Sequence, residues 1–175
     1  MDNYLLMKES KETLDLSLKL GFTNTYFLDK DFIYLKVENK KSILNKIKEA
    51  KNKKLRVICE AKTEELLRYL IEKTDTDIVI GMEKINPKDS VHFVRSGLDQ
   101  VSCRFATENG KKIAISFNNI LQLKNKSKLL SRIMFNLKLC RKYKTKTIFS
   151  NFSNSLIEMR AKKDLEVFER VLNSR

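Results

Sequence analysis

Hydrophobic positions along this chain follow two periods in turn. FIYLKV (32–37), LRVICE (55–60), DIVIG (77–81), KIAISF (112–117) and TKTIFSN (145–151) are short runs of β-branched and aromatic residues, and each predicts a strand. NTYFL (24–28) and VHFV (91–94) predict two more, whereas YLLM (4–7) makes a poor first strand. Between these runs the period lengthens to that of a helix. TEELLRYLIEK (63–73) gathers Leu66, Leu67, Leu70 and Ile71 on one face, and SKLLSRIMFNLKLCRKY (127–143) gathers Leu129, Leu130, Ile133, Met134, Leu137 and Cys140. KSILNKIKEAKN and KDLEVFERVL (163–172) predict further helices. Ser10 caps another that runs to about Leu20, where Gly21 stops it. In HFVRSGLDQV (92–101) a strand turns into a helix that opens at Ser96-Gly97-Leu98-Asp99, continues to about Asn109 and ends at Gly110.

Strands separated by single helices imply right-handed crossovers and a mostly parallel sheet. About seven strands and six helices predict a TIM-like (β/α) barrel. Such barrels typically take ~250 residues, so a chain of 175 implies a compact or incomplete one. An open doubly wound parallel sheet is the alternative. Neither a Gly/Ser/Pro-rich linker nor a repeat divides the sequence, so residues 1–175 are expected to form a single domain.

Charge changes the picture. The chain carries 36 Lys+Arg against 22 Asp+Glu, a formal net charge of +14, and residues 94–175 hold eighteen of the bases with only six of the acids. From Glu108 to Glu158 there are eleven bases and no intervening acid. Lysine-rich composition by itself is compatible with mere solubility, but the loss of acids from one half points to a polyanion facing that half. The apolar stretches are too short to span a membrane. The first fifteen residues turn acidic and amphipathic before any signal-peptide core, so a cytoplasmic location is expected. Cys59, Cys103 and Cys140 are odd in number and far apart, as reduced buried thiols would be.

Catalytic motifs are scarce. Zinc and two-metal hydrolases draw heavily on histidine, and His92 is the only one. The cysteines have no CxxC spacing, and no paired acids stand at matching strand ends, so no protein-bound metal is expected. GxSxG, GxxxxGK[ST] and GxGxxG are all absent. Ser96 with Asp99 reads as a capping box. It leaves Arg95 beside a helix N-terminus that favours anions, as a phosphate contact or a surface salt bridge.

The long helix adds two stripes. Lys128, Arg132, Lys138 and Lys142 lie largely opposite its core face. Phe135, Leu139 and Tyr143, spaced by four, form a second apolar stripe that is either covered by neighbouring helices or open to a protein partner. The helix ends in CRKYKTK, which adds Arg141, Lys144 and Lys146.

The words INPKDSVHFVRSGLDQVSCRFATENGKKIAISF, LKLCRKYK and EMRAKKDLEVFERVL, taken in order, resemble archaeal ribonuclease P protein component 3, the counterpart of the eukaryotic thirty-kilodalton subunit. The resemblance spans residues 77–172. It implies a partial TIM-like barrel related to metal-dependent hydrolases of the polymerase-and-histidinol-phosphatase type, without the histidines of their site. It further implies a subunit of an endoribonuclease that removes the 5′ leader of precursor tRNA. The catalytic RNA, with magnesium held on the RNA, would do the cleavage, and this chain would supply no catalytic residue. Ribonuclease P RNA, protein component 2 and other protein subunits would be its partners, and precursor tRNA an indirect one. Carried onto this sequence, Arg95 and Arg104 flank the VRSGLDQV helix start, Arg141, Lys142 and Lys144 belong to LCRKYK, and Arg160 to MRA. These are the candidate phosphate contacts, and Arg132 and Lys138 join them on helix geometry and charge. The alternatives are an independent barrel-type hydrolase or another basic RNA-binding protein, such as a ribosomal factor.

Overall fold

The computed structural model describes residues 1–86, 89, 94–123 and 125–174, with the Lys41 side chain outside that set. Its elements run β1 (Asn3–Leu5), α1 (Lys11–Lys19), β2 (Thr25–Phe27), β3 (Phe32–Val37), α2 (Lys40–Asn52), β4 (Arg56–Ala61), α3 (Glu64–Lys73) and β5 (Ile78–Ile80). They continue with α4 (Gln100–Glu108), β6 (Lys112–Ser116), α5 (Phe117–Gln122), α6 (Lys126–Tyr143), β7 (Thr147–Ser150) and α7 (Lys162–Asn173). His92 and most of the strand expected over 91–94 lie outside the described residues.

Among the described residues every strand pairing is parallel. β1 pairs with β2, and β3 to β7 form a five-stranded sheet in sequence order. Two single bridges join these sheets, Leu28 to Phe32 on one side and Leu5 to Ser153 on the other. Backbone bonds from Phe152 N–H to the Tyr4 carbonyl (2.8 Å) and from Leu6 N–H to that of Ser153 (2.9 Å) make the second joint firm. The architecture is therefore a compact TIM-like α/β ring, not the open sheet of the alternative.

Side-chain alternation along the strands sorts the core into layers. Tyr4, Phe32, Ile58, Ile78, Ile80 and Ala114 fill the inside, with Tyr26, Tyr34 and Ile148 packed against them, so each of β1 to β7 contributes. At one end of this plug the Arg56 guanidinium lies 4.4 Å from the Tyr26 ring centre and donates to the Tyr4 hydroxyl (3.0 Å). The opposite strand faces carry Val37, Val57, Cys59, Val79 and Ile113 toward α2, α3 and α4. Ile115 and Phe149 face α5, α6 and α7. Burial pushes the Cys59 thiol up to about 11, which keeps it protonated.

Three sequence expectations change. The poor first strand exists: β1 is short but fully buried, and the Asn3 side chain donates to Ser17 Oγ and accepts from Asn151 Nδ2, each at 2.9 Å. Polar zipping of this kind carries no hydrophobic signature. The helix expected from Ser96 begins four residues later, because Asp99 is its N-cap and accepts from Ser102 N–H, while the Ser96 hydroxyl donates to the Leu98 carbonyl. α5 was not foreseen, and Ser116 caps it by accepting from Asn119 N–H.

Candidate nucleic-acid interface

α4 and α6 lie side by side on the outside of the ring, and their seam is polar as well as apolar. Cys103 and Cys140 are buried neighbours there, and the neighbouring thiol together with burial holds Cys140 well above the ordinary thiol range. Below them the Thr107 and Thr145 hydroxyls stand 2.9 Å apart. Above the seam, the loop 94–99 is pinned from two sides. Arg95 N–H donates to Asp89 Oδ1 at 3.0 Å, and Asn136 Nδ2 donates to the Ser96 carbonyl at 3.1 Å. Gly97, at φ +84°, lets that loop press against Met82.

Between this loop and α6 runs a groove of about 820 Å³. Arg95, Gly97, Asp99 and Gln100 line one wall; Phe135, Leu139, Lys142 and Tyr143 line the other. Phe135 is 42% exposed. The Tyr143 ring has the Arg104 guanidinium 5.4 Å and the Lys142 ammonium 5.6 Å from its centre, and its hydroxyl donates to Gln100 Oε1 at 2.8 Å. Electrostatic attraction between cations and the ring face holds these charges at the rim. Among the described residues no ion pair involves Arg95, Arg104, Lys138 or Lys142, so their charge is left for an external anion.

The sequence candidates thus divide. Arg95, Arg104 and Lys142 gather at the groove with Phe135, Leu139 and Tyr143, and exposed Lys138 stands on the same helix. Lys144 follows as the left-handed C-cap of α6, at φ +56°. Arg141 turns toward α7 and donates to the Asn173 carbonyl at 2.6 Å. Arg160 stands on the β7–α7 connection, where its guanidinium donates to the Ile157 and Met159 carbonyls.

Arg132 must be corrected. It is only 5% exposed, and its guanidinium donates to the Glu83 and Asn86 carbonyls and to Asp89 Oδ1. A helical wheel puts it with the lysines, but the loop after β5 folds over it, and a buried guanidinium with four of its five N–H groups engaged has little to offer a phosphate. Burial tends to raise the Asp89 carboxyl, yet Arg132, Arg95 N–H and Lys128 together hold it below the ordinary range.

A second polar cluster escaped sequence reading. Glu60, at the end of β4, accepts from the Tyr34 hydroxyl (2.6 Å) and pairs with Lys84 (3.4 Å), and burial with Glu60 raises the Tyr34 phenol strongly. Beyond the end of β5, Glu83 is 1% exposed and neither carboxylate oxygen closes a hydrogen bond. Burial raises its pKa, an effect that its own backbone N–H, Lys84 and the nearby Asn119 side chain only partly offset. Glu60 ends on β4, whereas Glu83 sits in the short turn Met82–Lys84 past β5, so the two are not paired at matching strand ends. No group of three His, Cys, Asp or Glu among the described residues is arranged to hold a metal ion. No helix of the described residues is long and apolar enough to cross a membrane.

With this geometry in hand, comparison with known proteins is informative. No family model matches the chain. Ribonuclease P protein component 3 of Methanococcus maripaludis strain S2 is 27% identical over 161 residues, covering 91% of this chain and 66% of the relative. The component 3 proteins of Methanococcus vannielii (26% over 165 residues, 93% and 68%) and Methanocaldococcus jannaschii (25% over 142 residues, 80% and 58%) are similar too. The resemblance read from residues 77–172 thus holds over most of the chain, which spans about two thirds of the length of such relatives. A cryo-EM structure of archaeal ribonuclease P with mature tRNA contains a chain of the same fold. Its TM-score is 0.72 at 22% identity, covering 97% of this chain and 71% of that one.

Proposed function

We propose that this chain is a protein subunit of ribonuclease P, the ribonucleoprotein that removes the 5′ leader of precursor tRNA, and that its α4–α6 face contacts the catalytic RNA. Similarity to component 3 proteins over 91% of the chain supports the assembly. The single observation that carries the RNA contact is the set of cations on the α4–α6 face, Arg95, Arg104 and Lys142 at the groove and Lys138 on the same helix, left without carboxylate partners among the described residues. Lys144 extends the same basic end. Each cation that neutralises a phosphate releases counterions from the RNA, a gain that a salt bridge inside the protein would forfeit.

In this reading the RNA, with magnesium bound to it, performs the cleavage, and the chain contributes binding and support. Protein component 2 is its companion subunit, other subunits complete the particle, precursor tRNA is met through the assembly, and the cytoplasm is the site of action. The test is reconstitution: the catalytic RNA and protein component 2 of the same organism, with and without this chain, cleaving precursor tRNA at limiting magnesium. Leader removal should rise strongly when the chain is added. Equal cleavage in both mixtures, with component 2 remaining soluble, would sink the subunit reading.

A further inference from the structure

We propose that the α4–α6 groove is a pocket for an unpaired nucleobase, with Phe135 as its stacking platform; this rests on the RNA-contact reading above and names what the RNA must present there. The two aromatic rings of the groove differ in what remains open. Tyr143 has cations over its ring and its hydroxyl bonded to Gln100. Phe135, two turns earlier on α6, is 42% exposed, and no ring or cation contact involves it among the described residues. A phenylalanine left open in a cation-rimmed groove suits a flat, apolar π-face that arrives with a phosphate on each side, which is what a splayed nucleotide supplies.

The rest of the groove fits the same ligand. Gly97 lines the facing wall, and its φ of +84° lets that loop lie against the Met82 carbonyl, closer than any residue with a Cβ could. Gln100 spends its oxygen on the Tyr143 hydroxyl, which leaves its amide N–H groups to donate to an exocyclic carbonyl or ring nitrogen of a base. Arg95 and Lys142 line the groove itself, and Arg104 borders it, within reach of flanking phosphates. An apolar anchor from a protein partner would cover Phe135 but leave these charges unbalanced. A base-paired duplex would satisfy the charges but cannot insert a base.

The probe is a short single-stranded RNA carrying 2-aminopurine, beside the same RNA with an abasic site and a blunt duplex of equal length. Binding to the wild-type chain should quench 2-aminopurine fluorescence. Phe135→Ala should weaken the single strand about tenfold, in line with ~1–3 kcal/mol per stacked base, and should leave the duplex unchanged; Phe135→Trp should restore binding. Equal affinity for abasic and intact RNA overturns the pocket, as does a loss on Phe135→Ala shared by single strand and duplex. Normal RNA binding with failed association to protein component 2 in the Phe135→Ala chain assigns the groove to a protein instead. If the wild-type chain binds none of the RNAs at low salt, it is the RNA-contact reading that fails.

Discussion

Arg132 donates through both Nε and Nη2 to one oxygen of Asp89, at 2.9 and 2.7 Å, while its Nη1 serves the Glu83 and Asn86 carbonyls. One arginine thereby fastens α6 to the loop that follows β5. Arg132→Met should lower stability by at least about 2 kcal/mol, because two buried carbonyls lose a charged donor. Below its lowered melting temperature the variant should keep the wild-type salt dependence of RNA binding. A slope reduced by one would show that Arg132 meets a phosphate after all.

Arg104 and Lys142 should behave in the opposite way. Each replaced by alanine should leave thermal unfolding within about 0.5 kcal/mol of wild type, as for ordinary surface positions. Each should also reduce the slope of log K against log salt by about 0.7–0.9, one phosphate's worth. Titrations at several salt concentrations read this directly, and parallel lines for variant and wild type would remove that residue from the interface.

Gly97→Ala tests the wall of the groove. A Cβ at residue 97 would stand 2.1 Å from the Met82 carbonyl oxygen, at a φ that side chains avoid. The backbone conformation alone costs about 1–3 kcal/mol, and relief of the collision must move the loop that carries Arg95. Both a lower melting temperature and weaker RNA binding are expected, by calorimetry and by filter binding. An unchanged melting temperature would mean that the loop does not pack as described.

Glu83 makes the stability of the fold depend on pH. Its folded pKa is raised by burial, so the protonated form is the one the fold tolerates. The stability tied to this proton is fully present below the ordinary glutamate range and is lost as pH rises through the folded value. Glu83→Gln stays neutral throughout, so it should be more stable than wild type at pH 8 and converge with it near pH 4. Each kcal/mol gained should raise the melting temperature by about 2–4 °C. Melting curves that stay parallel across that range would show that the carboxyl is already solvated.

The hydrophobic pattern located β2 to β7 and most helices, because those elements bury apolar side chains, while most of the strand expected over 91–94 lies outside the described residues. FIYLKV became β3 at the residues expected, and α3 and α6 began within a residue of the expected positions. What escaped was fixed by polar contacts between distant segments. β1 is held by Asn3, Asn151 and Ser150, which no local pattern links. Arg132 looked like a surface cation because helix periodicity cannot report a loop folded across it. The groove was half legible: the Phe135–Leu139–Tyr143 stripe and the nearby bases are sequence features, but their meeting with Gly97 and Gln100 depends on how α4 packs.

The joint between β1 and the end of β7 sets the order in which this protein can be completed. Asn3 and Asn151 are 148 positions apart, so during synthesis one edge of β1 waits on the order of ten seconds for its partner at usual elongation rates. Over that time its backbone N–H and C=O groups are an open template for other strands. Such non-local pairing also makes folding slow. Until the segment around Asn151 emerges, that open edge is the place where misassembly would begin.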